Sequence, residues 1–159
     1  GDLLSEAAED RLDLVAFEQL ICATDNDAYN TLVATDLGPE FGRENVFQLK
    51  RVRQTSSRHA LPATLGGRAI GGNDTFFEAN ARLSEGWEFR ATTLTDTFSL
   101  EDWRNRNPKA IPVAELGSNG SLRLLGPDDV PREDAGIRLV ALMPARPARK
   151  DVDRRATVA

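Results

Sequence analysis

The residues best suited to chemistry follow a short apolar run near the start of the chain. Leu20–Ala23 is continuously apolar, as expected of a strand covered on both faces, and Thr24–Asp27 follows it with hydroxyl, carboxylate and amide groups. These side chains could contact the edge of a bound ligand. They suit a helix N-terminus equally well, because Thr, Asp and Asn side chains accept hydrogen bonds from its first backbone N–H groups. A cap at Thr24 or Asp25 is the simpler interpretation, since it needs no ligand.

Other groupings of reactive side chains give no clear site. Asp2, Asp25 and Asp27 could bind a divalent cation, but their spacing fixes no geometry, and carboxylates near a strand end are usually solvated. The only histidine, His59, lies in a polar stretch without a cysteine or carboxylate at ligand spacing. The sequence contains no Gly-x-Ser-x-Gly elbow and suggests no Ser-His-Asp grouping. It therefore predicts neither a metal site nor an enzyme.

Composition is that of a soluble globular protein. The 159 residues are 40% hydrophobic and 28% charged, with a net charge of -5. An acidic chain has no electrostatic reason to bind nucleic acid, because duplex binding depends on Lys and Arg neutralising phosphates. The single cysteine, Cys22, excludes an intramolecular disulfide and is most simply a small buried hydrophobic residue. No stretch approaches the roughly 18 consecutive apolar residues that mark a transmembrane helix.

The first third of the chain predicts alternating helices and strands. A short helix over 5–13 precedes the first strand, and the apolar spacing of residues 28–37 predicts a second helix that Gly38-Pro39 ends. Val46–Leu49 reads as the next strand. This order favours a parallel sheet with right-handed crossovers, as in nucleotide-binding folds. No Gly-rich turn precedes it, so the sequence has the scaffold of such a fold without its phosphate cradle.

The rest of the chain predicts a second, β-rich lobe. A basic and then glycine-rich stretch reads as a linker, and residues 74–85 read as a helix capped by Asp74 and ended by Gly86. The sequence predicts four strands beyond that helix, beginning near Trp87, Ala110, Leu122 and Ile137, the second bearing a proline typical of an edge or a bulge. The expected fold class is α/β: a partial Rossmann-like lobe followed by a small β-rich α+β lobe. The expected divisions are a lobe over 1–50, a linker over 51–73, a second lobe over 74–143 and a disordered tail over 144–159.

These features, taken in order, resemble a known family of regulatory domains. Gly1-Asp2 resembles a pair that follows the third strand of that family's Rossmann lobe, and Ala23–Asp27 and Asn30 resemble its next turn and helix. The run Phe41–Leu49 (FGRENVFQL) resembles a signature of the antiporter branch, with Phe47 where Tyr is common. The chain thus resembles the RCK or KTN (Trk-type) cytoplasmic domain, as found at the C-terminus of bacterial sodium/proton antiporters. The second lobe is similar to that family by layout.

The resemblance implies a domain that regulates sodium/proton antiport without catalysing a reaction. It would lie at the cytoplasmic face of the cell membrane as part of an integral membrane protein, with the transmembrane antiporter domain of the same polypeptide as its partner. It implies a homodimer, with Phe76 and Phe77 near the interface. No cofactor is required, and a nucleotide effector should bind this chain only weakly, because the family's first strand, glycine turn and ribose-binding acid are absent. The implied nucleotide-flanking residues are Asp2, Thr24, Asp25, Asn26, Asp27 and Asn30.

Two other interpretations stay open. One is a fragment of a nucleotide-dependent dehydrogenase or transferase, which needs a cofactor cradle and a catalytic acid or base that the sequence does not display. The other is a structural dimerisation module without a ligand. Because the chain opens on Gly1 rather than Met, we also expect it to be a piece of a longer polypeptide.

Overall fold

Three short parallel strands form the first of two β-sheets. The computed structural model describes residues 17–52 and 65–145. Strands β1 (Leu20–Cys22), β2 (Val46–Gln48) and β3 (Arg68–Ala69) lie in that order and all run parallel. The predicted parallel sheet is confirmed, although β1 is not covered on both faces, since Ile21 is 48% exposed. The predicted helix over 5–13 and most of the tail over 144–159 fall outside the described residues.

Helix α1 (Asp27–Asp36) connects β1 to β2 and covers one face of this sheet. Its buried Val33 and Ala34 pack with Cys22 of β1 and Val46 of β2. The N-cap is Asn26, whose side chain accepts a hydrogen bond from the Tyr29 N–H, so the predicted cap at Thr24 or Asp25 is wrong.

The end of α1 also differs from the prediction. Leu37 caps α1 in a right-handed conformation, and Gly38 begins a second short helix, α2 (Gly38–Phe41), instead of ending the first. Pro39 lies in the first turn of α2, where its missing N–H costs nothing because that N–H has no partner within the helix. A short 3₁₀ turn over Arg43–Asn45 then leads into β2.

The second sheet is antiparallel and four-stranded. Strands β4 (Glu88–Thr93), β5 (Ile111–Leu116), β6 (Leu122–Leu124) and β7 (Arg138–Met143) lie in the order β4-β7-β5-β6. The proline was predicted to lie at an edge or a bulge. Strand β5 is not at an edge, and its pairing with β7 is irregular between Pro112 and Ala114, so the bulge is the alternative that holds. The chain is therefore mixed α/β, with a parallel sheet followed by a separate antiparallel one.

The sequence analysis missed helix α4 (Leu100–Arg106), which lies between β4 and β5. It covers one face of the second sheet, where its Leu100 and Trp103 are buried. Ser99 and Asp102 form a capping box, and the backbone N–H of Ser99 lowers the pKa of the Asp102 carboxyl by donating a hydrogen bond to it. The surrounding core contains Leu94, Leu125, Ile137, Leu139, Ala141 and Met143.

Helix α3 (Phe76–Ser84) lies along the chain between β3, the last strand of the first sheet, and β4, the first strand of the second. Strand β3 lies within 51–73, the segment expected to be a linker, and pairs with β2. Helix α3 occurs where predicted, but Thr75 caps it in a capping box with Glu78, so the predicted cap at Asp74 is wrong. Gly86, with a φ of 85°, follows its end as predicted.

A hydrophobic cluster, here called the junction, joins the two sheets. Phe47 of β2 is 2% exposed and packs with Ala114 of β5 and Leu124 of β6. Ile70, Val113 and Val140 pack around these three residues. A backbone hydrogen bond of 2.8 Å from the Gly71 N–H to the Leu125 carbonyl connects the sheets beside this cluster. The two sheets therefore share part of their cores.

Candidate functional site

The polar residues after β1 form a closed turn. The Asn30 side chain is buried, and its Oδ1 accepts hydrogen bonds from the Thr24 hydroxyl at 2.7 Å and the Thr24 N–H at 3.1 Å. Its Nδ2 donates to the Thr24 carbonyl at 2.8 Å. One side chain thus satisfies three polar groups of Thr24. Asn30 therefore ties the end of β1 to the first turn of α1.

The other predicted nucleotide-flanking residues lie beside this turn. Asn26 caps α1 through a 3.0 Å hydrogen bond from the Tyr29 N–H, and Asp27 accepts a 2.7 Å hydrogen bond from the Val52 N–H. Asp25 is exposed, and Asp2 lies outside the described residues. The structure brings Thr24, Asn26, Asp27 and Asn30 together, and their side chains bond to the chain itself. This geometry favours the capping interpretation over a preformed ligand edge.

Cys22, directly before this turn, has the environment of a structural residue. It is 5% exposed within the core under α1. Burial raises the pKa of its thiol to about 11, so the thiol stays protonated near neutral pH and is a poor nucleophile. Among residues 17–52 and 65–145, no group of three or more His, Cys, Asp or Glu side chains could hold a metal ion. His59 lies outside these ranges.

The run Phe41–Leu49 forms the end of α2, the 3₁₀ turn and β2. The Asn45 amide donates to the Phe41 carbonyl at 2.9 Å, which holds the turn closed. Gln48 is buried, and its Oε1 accepts a 3.0 Å hydrogen bond from the Gly67 N–H just before β3. These side chains therefore shape the first sheet and connect its strands.

Helix α3 is fixed near its ends, and most of its side chains are exposed. None of its nine residues is buried, and Phe77 is 64% exposed. The Phe76 and Phe77 rings meet edge to face with their centroids 5.8 Å apart. Arg82 pairs with Asp74 at 2.9 Å and stacks over the Trp87 ring. Of the two candidate dimer residues, Phe77 is therefore the one that faces outward.

An ion-pair network that the sequence analysis missed lies on the other side of the junction. Glu115 of β5 is 1% exposed, and its carboxylate accepts hydrogen bonds from Arg123 at 2.8 Å and from the Arg132 backbone at 2.8 Å. Arg68 of β3 pairs with Asp129 in the loop after β6, with nitrogen–oxygen distances of 3.0 and 3.2 Å. The second pair connects the parallel sheet to the antiparallel one.

A cavity of about 300 Å³, here called the junction cavity, opens beside the hydrophobic cluster. Both sheets, helix α3 and the turn after β3 contribute to its wall, which is almost entirely apolar. Its lining residues are Ile21, Leu49, Ile70, Gly71, Gly72, Asp74, Ala79, Phe89, Ile111, Val113, Leu124 and Leu142.

Comparisons with protein-family models, with curated proteins and with solved structures each found no match to this chain. In the part of the chain that the structure describes, no helix combines the length and the apolar character needed to cross a membrane.

Replacing Asn30 tests whether its role is structural. Asn30→Ala leaves three polar groups of Thr24 without their partner, so we expect the free energy of unfolding to fall by about 1–3 kcal/mol. Asn105→Ala is the matched control, because Asn105 is exposed on α4 and its replacement should change stability by less than about 0.5 kcal/mol. Urea denaturation measures both. Equal stability of the Asn30→Ala variant and the unmodified chain would contradict the structural role.

Proposed function

We propose that this chain is a non-enzymatic regulatory domain of a sodium/proton antiporter, acting at the cytoplasmic face of the membrane. The proposal begins from the resemblance of Phe41–Leu49 and of the turn after β1 to the RCK or KTN family. The observation that carries it is the packing of a parallel sheet against a separate antiparallel sheet through the junction. Because the two sheets share part of a core, a ligand that binds one sheet can change the position of the other.

The β1-α1-β2 unit supports interpreting the first sheet as the second half of a Rossmann-like lobe. Its strands are parallel neighbours joined by a helix, which is the connection that such folds repeat. In this proposal the lobe keeps the scaffold and has no pyrophosphate site in this chain. It needs no cofactor, and a nucleotide would meet only the turn over residues 24–30.

Regulation would work by differential affinity. An effector or partner that binds one arrangement of the two sheets better than another shifts the population toward that arrangement. The antiporter domain of the same polypeptide would contact the favoured arrangement differently, and this difference is the coupling free energy. The Arg68–Asp129 pair and the Gly71–Leu125 hydrogen bond are the polar contacts that such a shift would alter first.

A homodimer would form through helix α3. This helix has no buried residue, and Phe77 and Leu83 are 64% and 45% exposed. Exposed apolar side chains can form an interaction site, and a two-fold dimer buries the same surface on both copies. A dimer would also bring two copies of the regulatory domain to one transporter.

A structural dimerisation module without a ligand is the second candidate. The hydrogen bonds that Thr24, Asn26 and Asn30 make within the chain favour it, because those side chains need no ligand to be satisfied. Its thermal midpoint would not respond to AMP, ATP or NAD, and its removal would leave transport unchanged.

Substituting Phe77 tests the dimer. Phe77→Glu would place an unpaired carboxylate in the interface, so we expect the dimer dissociation constant to rise at least tenfold. Leu122→Glu is the control, because Leu122 is 48% exposed on β6, outside α3. Size-exclusion chromatography with light scattering measures the mass. An unchanged mass for Phe77→Glu at every concentration would remove the interface.

Sodium/proton exchange in membrane vesicles tests the regulatory role. We expect the polypeptide that contains this chain to exchange sodium for protons, and we expect deletion of residues 17–145 to shift the sodium dependence of the rate. Asn105→Ala, at an exposed position of α4, serves as the control in the intact polypeptide and should leave the rate unchanged. Absence of exchange by the intact polypeptide would contradict the proposal, and so would identical kinetics after the deletion.

A further inference from the structure

The junction cavity is an apolar pocket between the two sheets that is open to solvent on one side. A volume of about 300 Å³ reaches the lower end of the range of ligand pockets, which occur preferentially where two units meet. The side chains around it lose the contacts that they would make with atoms in that space. An occupant would restore those contacts.

The wall of the cavity determines the chemistry of that occupant. Among the described lining residues, Asp74 alone has a polar side chain, and both of its carboxylate oxygens accept hydrogen bonds from Arg82, at 2.9 and 3.2 Å. The other described lining residues are apolar and offer water no side-chain partner, so the cavity favours apolar molecules. Since the one carboxylate is neutralised by its guanidinium partner, the cavity also offers no net charge to an ion.

Small residues on one side of the cavity help to keep it open. Helix α3 contributes Ala79, and the turn after β3 contributes Gly71 and Gly72. A Cβ atom added at Gly72 would lie 3.0 Å from Ile111, and one added at Gly71 would lie 3.0 Å from Val113. Gly71 also has a φ of 60°, which glycine adopts most easily. The turn therefore packs directly on β5, where it forms a wall and leaves the space beside it open.

The cavity also has an opening through which a small molecule could enter. Ile21 of β1 is 48% exposed and Phe89 of β4 is 60% exposed, although both line the cavity. One comes from the parallel sheet and the other from the antiparallel sheet. A molecule bound between them would contact both sheets at once.

We propose that the junction cavity binds a small, uncharged, apolar molecule, aromatic or aliphatic, and that this molecule stabilises one arrangement of the two sheets. The regulatory meaning of the site rests on the proposed function above, because it names the chemical class of the effector. The binding itself does not depend on a transporter and is measured on this chain alone.

Fluorescence titration with N-phenyl-1-naphthylamine, an uncharged apolar probe, tests the site on the chain of residues 1–159. We expect saturable enhancement with one probe per chain and displacement by toluene. Ala79→Phe places a ring in the cavity and should weaken binding at least tenfold. Ala28→Phe makes the same change at an exposed position of α1, away from both α3 and the cavity, and should change binding less than twofold. Circular dichroism checks that both variants fold.

Three results would overturn the proposal. The first is non-saturable enhancement, and the second is an equal loss of binding in the two variants. The third is stronger probe binding by the monomeric Phe77→Glu variant. That result would mean that a second copy of the chain occupies the cavity in the dimer. Any of these would leave the vesicle experiment untouched, so failure of this site and failure of the regulatory role can be told apart.

Discussion

The packing of Phe47 between the two sheets is the contact on which the rest of the structure depends. Successive residues of a strand face opposite sides of the sheet. Val46 therefore packs in the core under α1, while Phe47 packs in the junction. All three residues of β2 are buried, whereas β1 and β3 keep exposed positions. A parallel sheet is normally packed on both faces. Here α1 packs on one face, and the antiparallel sheet packs on the other face at Phe47.

Polar contacts surround this hydrophobic contact and orient it. The Arg68 guanidinium lies 5.2 Å from the centroid of the Phe47 ring and reaches across to Asp129. On β5, the buried Glu115 holds Arg123 and Arg132 in place. An exposed ion pair such as Arg68–Asp129 adds little stability by itself, on the order of 1 kcal/mol or less. The ion pair orients the two sheets relative to each other, while the apolar cluster supplies most of the attraction between them.

Local patterns predicted the elements whose signals lie in consecutive residues. The apolar runs predicted β1 and β2, and the helical spacing of the apolar residues between them predicted α1. Helix α4 was missed because only Leu100 and Trp103 of its seven residues are buried, so its apolar spacing is too sparse to stand out. The Ser99-x-x-Asp102 capping box was the available signal. Strand β3 has two residues and no apolar run, so only its pairing with β2 identifies it.

Contacts between distant residues could not be predicted in the same way. The polar turn after β1 was located correctly, but Asn30 belongs to it through hydrogen bonds that its spacing does not reveal. Near this turn several residues are competent caps, so the choice of Asn26 depends on the exact path of the backbone. Glu115 looks like the solvent-facing residue of an amphipathic strand, and its burial requires arginines from two later segments. The junction cavity exists only once both sheets are in place.

Native-state hydrogen exchange tests most directly whether the two sheets are coupled through Phe47. In the unmodified chain, we predict that the Phe47 amide in β2 and the Leu139 amide in β7 exchange with the same free energy, because both sheets open together. In Phe47→Ala, we predict that the free energy for β2 falls by about 3–5 kcal/mol and separates from that of β7. If β2 already exchanges with a much lower free energy than β7 in the unmodified chain, the sheets open independently and the account is contradicted.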